Sequence, residues 1–157
     1  MLQLDVKLYR GYIMAYRFII HTEKYKNRRC SSKNWEGGTM NDYMHAINGL
    51  KFREDSLKDL RYRIYFFAGH GEYSDEYNEW LNKRSKRNTI TYKDELCGFN
   101  RTQNVTIYGI AQGYFNIDKV IDKVKKVGKV IIPFSHFYDG RQYLYNMDGC
   151  YIEIEKV

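Results

Sequence analysis

The apolar residues of this chain come in short runs, the longest being Ile64 to Ala68 and the stretch from Ile13 to Ile20 that Arg17 interrupts. Neither approaches the roughly 18 consecutive apolar residues that a spanning helix needs, so the pattern predicts no membrane span. Runs this short suit ordinary strands and helix faces, and no Pro-, Gly- or Ser-rich stretch divides them into separate blocks. Pro occurs once, at Pro133. The expectation is one domain over residues 1–157. A chain of about 150 residues buries about 70 per cent of its unfolded surface and can hold a core without metal or disulfide staples.

Periodicity then divides the chain. Ile13 to Thr22 is rich in β-branched and aromatic residues and reads as a strand, followed by a polar basic loop from Glu23 to Gly38. Asn41 to Leu50 places Tyr43, Met44 and Ile47 at helical spacing, Asp55 to Leu60 suggests a further turn, and Tyr62 to Ala68 reads as a strong strand. Ser74 is a helix cap. It is followed by Asp75 and Glu76 and later by Lys83, Arg84, Lys86 and Arg87, the charge order that a helix dipole favours. Thr89 to Lys93 and Asn104 to Ala111 look like strands around a polar loop. Asn116 and Gly128 bracket a second helix with Val120, Ile121, Val124 and Val127 expected inward. Val130 to Phe137, Arg141 to Asn146 and Cys150 to Lys156 read as closing strands, the last two joined by a turn at Met147-Asp148-Gly149. Strands and helices interleave without strict βαβ alternation, which predicts an α+β fold with a mostly antiparallel or mixed sheet and two to three helices.

Charge gives the first functional hint. There are 26 Lys and Arg against 19 Asp and Glu, a formal net charge of +7, and the surplus is clustered. The clusters are Lys24, Lys26, Arg28 and Arg29 in the first loop, then Lys83, Arg84, Lys86 and Arg87 at a helix end, then Lys123, Lys125, Lys126 and Lys129 along and after the last helix. Such clusters attract a phosphate backbone by releasing its condensed counterions, and the 16 Tyr and interleaved Asn add stacking and hydrogen-bonding groups. Nucleic acid is the expected partner, double-stranded DNA first. A basic docking surface for an acidic protein is the alternative. Cys30, Cys97 and Cys150 are far apart and odd in number, giving neither a disulfide framework nor a Cys-x-x-Cys clamp. The first residues carry no basic stretch followed by an apolar run, so an intracellular location is expected.

One segment gathers chemistry. Between Gly69 and Trp80 lie His70, Glu72, Asp75, Glu76 and Glu79, next to the Lys83 to Arg87 cluster. Phosphodiester hydrolysis needs carboxylates to hold Mg²⁺ or Mn²⁺, a base for water, and cations against the developing charge. Glu72, Glu76 and Glu79 are the candidate acids and His70 the candidate base, although Glu79 can equally pair with Lys83 one turn on. A nuclease is therefore the leading expectation, with a non-catalytic nucleic-acid-binding module as its rival. His21, His45 and His136 lack ligand spacing, and there is no Gly-rich phosphate loop.

Several resemblances bear on this. Ile64 to Gly71 (IYFFAGHG) resembles the strand-then-His-Gly element of caspase-like cysteine peptidases, but Cys97 sits in a polar loop and Cys150 opens the final strand, where that family has no nucleophile. Glu153 and Glu155 share a strand face and resemble the paired acids of nucleotidyltransferases, without the preceding Gly-rich turn; the solvated edge of a last strand explains the same pattern. Asp5-Val6-Lys7 resembles half of a restriction-type nuclease core, without an upstream acid. In length, Tyr and Lys content and scarcity of Pro, the whole chain resembles the small α+β nuclease-like proteins of filamentous archaeal viruses. That resemblance implies DNA chemistry in the cytoplasm of an infected cell and assigns no residue.

Overall fold

The computed structural model describes residues 15–23, 40–68, 74–94, 98–105, 116–134 and 149–157. Among them the order is β1 (Tyr16–His21), α1 (Met40–Ile47), β2 (Lys51–Glu54), α2 (Leu57–Ala68), α3 (Asp75–Lys83), a 3-10 turn (Ser85–Asn88), β3 (Thr89–Asp94), β4 (Phe99–Asn104), α4 (Ile117–Val127), β5 (Lys129–Pro133) and β6 (Tyr151–Lys156). This is an α+β fold, with four strands in one antiparallel sheet of order β2-β1-β6-β5 and β3 and β4 in a separate two-stranded ribbon. No helix among the described residues is long and apolar enough to cross a membrane.

Period-two alternation decides which face of the sheet is buried. Tyr16, Phe18 and Ile20 of β1, Phe52 of β2, Val130 and Ile132 of β5, and Ile152 and Ile154 of β6 lie in the core, where they meet Leu60, Ile64 and Phe67 of α2 and Val120, Ile121 and Val124 of α4. Phe67 joins Phe18, Phe52 and Phe66 in the aromatic packing of the core, and the Phe18 ring lies 4.6 Å from Phe67 and 6.4 Å edge-on from Phe52. Such pairs add about 0.5–1.5 kcal/mol beyond area burial.

The segment Tyr62 to Ala68 is helix rather than strand. Read alone, Ile64-Tyr65-Phe66-Phe67 has strand composition, yet Leu57, Leu60, Ile64 and Phe67 repeat at three and four residues and share a helix face. Ser56 caps that helix by accepting a hydrogen bond from the Asp59 amide at 3.1 Å. The likeness to the strand-then-His-Gly element therefore loses its strand. Three other expectations change. The polar loop after Lys93 contains β4, a strand with no apolar alternation to reveal it. Val127, the last residue of α4, is 68% exposed rather than inward. The last strand, β6, is central, pairing with both β1 and β5, so Glu153 and Glu155 do not sit on an edge. Arg141 to Asn146 and most of 104–111 lie outside the described residues.

The helix ends follow the capping signals. Ser74 Oγ accepts from the Tyr77 amide at 3.1 Å, and Asn116 Oδ1 from the amides of Asp118 and Lys119. Gly128 ends α4 at φ +87°, and its amide returns to the Val124 carbonyl at 3.0 Å. A Cβ placed on Gly128 meets no atom within 4 Å, which leaves backbone conformation as the only penalty. Gly128→Ala is expected to destabilise the fold by about 1–2 kcal/mol, the ordinary cost of a left-handed L-residue. Urea unfolding checks this: the midpoint should fall with an unchanged slope.

Candidate nucleic-acid interface

Beneath the helices lies a charged cluster that sequence reading did not single out. In β2 the alternation that buries Phe52 also buries Glu54, and on α2 Arg63 falls within the apolar stripe; both side chains are fully buried. Arg63 Nε donates to Glu54 Oε2 at 2.7 Å; Nη2 is equally close but misaligned for donation. Arg63 Nη1 donates to the Asn88 side-chain carbonyl, and its guanidinium lies 4.2 Å from the Phe52 ring centroid. Arg84 joins from the end of α3, with Nε 3.2 Å from Glu54 Oε1 and Nη2 3.3 Å from Asp59. The guanidiniums of Arg63 and Arg84 lie 5.1 and 4.7 Å from the Trp80 ring centroid. The one legible signal was a charge at an apolar helical position, hidden while Tyr62 to Ala68 read as a strand.

Burial is the dominant influence on both charges. It pushes the Glu54 carboxyl above its usual value against the pull of Arg63, Arg84 and Arg87. It lowers Arg63 to about 10 despite the attraction of Glu54. Both shifts say that desolvation outweighs the attraction, the usual condition of an ion pair withdrawn from water.

Above this cluster a groove of about 500 Å³ runs between α2 and α3, with Lys58, Asp59, Glu76, Glu79, Lys83 and Arg84 on its walls. Tyr62 and the largely buried Trp80 complete it. Glu76 and Glu79 share this face as their spacing predicts, and both are already paired, Glu76 with Lys58 and Glu79 with Lys83 at 3.2 Å. Three cations meet three acids here, so the groove is balanced. Arg84 is turned inward, whereas Lys86 and Arg87 are exposed on the 3-10 turn, Arg87 at 4.0 Å from Glu54. Among the described residues no three His, Cys, Asp or Glu side chains converge as ligands for a metal ion. His70, Glu72, Lys24, Lys26, Arg28 and Arg29 lie outside the described residues.

The last helix differs. Val120, Ile121 and Val124 face the sheet, leaving Lys119, Lys123, Lys125 and Lys126 exposed. Lys119, Lys123 and Lys126 follow one another at four and three residues and form a single stripe. None of these lysines has an ion-pair partner among the described residues. Of the two acids on the helix, Asp118 is held by Arg61 at 2.7 Å and Asp122 flanks the stripe.

The outer sheet face carries a third group. Glu153 accepts from His21 and Lys129, both at 2.9 Å, His21 stacks on Tyr151 at 4.4 Å, and Arg17 lies 3.4 Å from Glu155. The paired acids of β6 are thus ion-paired across the sheet. Of the three cysteines, Cys150 is buried; Cys30 and Cys97 lie outside the described residues. No protein-family model matches the chain, and no curated protein or solved structure shows significant similarity to it.

Two outcomes follow. Arg63→Met takes from the buried Glu54 carboxylate its main partner, leaving Arg84 to offset the charge, and is expected to cost about 3 kcal/mol, whereas Glu54→Leu combined with Arg63→Met should cost much less than the two single changes added together; chemical denaturation of all four proteins gives the cycle. For Glu153, the hydrogen bond from Lys129 holds the carboxyl below its usual 4.5, burial opposes this, and His21 adds to the lowering. A depressed folded-state value gives stability that is present above the unfolded value of 4.5 and disappears as pH falls through the folded one. Glu153→Gln should therefore flatten the loss of stability below pH 4.5 in thermal melts monitored by circular dichroism.

Proposed function

We propose that this protein binds the phosphate backbone of double-stranded DNA through the lysine stripe of α4. The observation that carries this reading is that Lys119, Lys123 and Lys126 stand exposed in one row without acidic partners among the described residues. With a rise of about 1.5 Å per residue, neighbouring charges in that row sit roughly 4.5–6 Å apart along the helix. Lys125 widens the row, and the net charge of +7 favours approach to a polyanion. A phosphate can displace water and counterions from such lysines without first breaking a protein ion pair. Lys58 and Lys83 would have to give up Glu76 and Glu79.

A second reading adds phosphodiester hydrolysis, and one observation favours it: Glu76 and Glu79 converge on the groove that also holds Lys83. The described side chains do not by themselves make a cage for Mg²⁺ or Mn²⁺, since each glutamate is bonded to a lysine. Binding therefore ranks above cleavage. A protein acting on DNA in this way works inside a cell, in the cytoplasm of the host if the chain is viral.

The purified protein is expected to retard linear duplex DNA, with affinity falling steeply as salt rises. Replacing Lys119, Lys123 and Lys126 together by Ala should lower the slope of log affinity against log salt by about 3, one unit per lost phosphate contact. No retardation at low salt ends this reading. Incubation of the same DNA with Mg²⁺, with Mn²⁺ and with EDTA tests hydrolysis: metal-dependent scission abolished by Glu76→Gln with Glu79→Gln supports the second reading, and intact DNA in every condition removes it.

A further inference from the structure

The ribbon formed by β3 and β4 is unlike the main sheet. Its inner face carries Ile90 and Tyr92, both buried, with the Tyr92 ring edge-on to Tyr43 of α1 at 6.4 Å. Its outer face is formed by cross-strand neighbours Thr89 and Asn104, Thr91 and Thr102, and Lys93 and Asn100. All but Thr89 are exposed. The Thr91 and Thr102 hydroxyls lie 2.7 Å apart and tie the two strands together. Among the described residues this face holds one cation, Lys93, no acid and no apolar side chain. The remaining groups are neutral hydrogen-bonding side chains of the kind that can satisfy base edges without a charge to desolvate.

Dimensions agree with that use. Strands of six residues at about 3.4 Å each give a ribbon roughly 20 Å long, and two strands about 4.8 Å apart enter a major groove about 12 Å wide. Cations stand where the ribbon leaves the body: Lys86 and Arg87 are exposed on the 3-10 turn that leads into β3, and the Lys86 carbonyl accepts from Thr89 Oγ1 at 3.1 Å. Asn88 fixes the root of the ribbon. It is buried, its side chain is held by Arg63, and its carbonyl accepts from the amide of Val105, just past the end of β4, at 2.8 Å. A polar face anchored at its root, free of acids among the described residues and flanked by cations, is complementary to a groove whose floor offers donors and acceptors and whose rims are phosphates.

We propose that the outer face of the β3–β4 ribbon reads base edges in the major groove of duplex DNA, with Lys93 and Asn100 as the principal base contacts and Lys86 and Arg87 on the flanking phosphates. This rests on the duplex-DNA reading above and goes beyond it, because the α4 stripe supplies affinity without sequence preference whereas the ribbon supplies choice. Asn suits adenine N6 and N7 in a two-bond contact, Lys suits guanine O6 and N7, and the Thr methyl groups suit thymine.

The experiment is selection of duplexes from a randomised pool by the full chain, followed by mobility shifts on the enriched and a scrambled duplex. Wild type should enrich one short sequence. Asn100→Ala and Lys93→Ala, both at exposed positions, should each lose roughly 5- to 150-fold of the discrimination, the worth of one two-bond base contact, while keeping the melting temperature and the binding to the scrambled duplex nearly unchanged. The inference is overturned if nothing is enriched, if both variants enrich the wild-type sequence with undiminished preference, or if single-stranded DNA or RNA outcompetes duplex. In the first two cases, binding of the scrambled duplex shows that the backbone reading still stands. Failure of wild type to bind any duplex removes both.

Discussion

The ion pair between Glu54 and Arg63 is the constraint on which the arrangement of this molecule turns. It joins the edge strand β2 to the middle of α2, and Arg63 passes the connection on to Asn88 at the root of the ribbon, while Arg84 brings in the end of α3. Two consecutive pairs of elements, β2 with α2 and α3 with the 3-10 turn at the ribbon's root, are thereby fixed at one point. Apolar packing alone would hold α2 on the sheet, since Leu60, Ile64 and Phe67 already bury themselves there. It would tolerate a shift along the helix that the pair does not. Two buried charges joined by a directed hydrogen bond favour one register, and slippage leaves a charge buried without its counterpart at a cost of several kcal/mol. The raised Glu54 and lowered Arg63 values show that the pair is expensive to bury, which is consistent with a role in positioning more than in net stability.

The same accounting of partners sorts the surface. Net charge describes the whole chain, but a lysine that already faces a carboxylate offers little to a phosphate, because the incoming anion must compete with one at close range. Lys58, Lys83 and Lys129 belong to that class, bonded to Glu76, Glu79 and Glu153. Arg84 is further removed, being committed to Glu54 and Asp59. Of the exposed lysines without an ion-pair partner among the described residues, Lys86 and Lys93 stand around the ribbon and Lys119, Lys123, Lys125 and Lys126 along α4, while Lys51 lies on β2 and Lys156 ends β6. Clustering in the sequence marked part of each group but could not say which members were already engaged.

The legible parts of the fold were those set by local rules. Ser74, Asn116 and Gly128 marked helix ends correctly because a cap depends on a few neighbouring backbone groups. The β1 and β5 strands and the α1 helix were visible for a similar reason, each carrying its own period. Tyr62 to Ala68 reads as a strand from sequence because the four bulky apolar residues Ile64 to Phe67 satisfy either geometry, and the deciding residues, Leu57 and Leu60, lie upstream of the run. Strand β4 was invisible for the opposite reason: FNRTQN has almost nothing apolar to alternate, and only its partner β3 makes it a strand. As for the site, the shared face of Glu76 and Glu79 followed from helical spacing, and so did the pairing of Glu79 with Lys83. The link from Glu76 to Lys58 and the whole Glu54 cluster join residues tens of positions apart, or elements whose type was wrong, and no local pattern encodes them.

The absence of apolar alternation that hid β4 also bears on what the ribbon does. A strand kept only for stability gains from an apolar inner row, and in β4 that row is replaced by Phe99, Arg101 and Gln103, none of them buried. The ribbon is therefore held mainly by its root: by Ile90 and Tyr92 of β3, by the Asn88 to Val105 hydrogen bond, and through Asn88 by Arg63. Spending a buried ion pair on anchoring a polar two-stranded projection makes physical sense when the projection's orientation matters. A loosely hinged ribbon could still collide with a polyanion, but base-edge hydrogen bonds lose their worth when donor and acceptor wander by an ångström, whereas lysine–phosphate attraction barely changes over that distance. The rigid root and the loosely constrained lysine row of α4 thus match the different tolerances of sequence readout and backbone attraction.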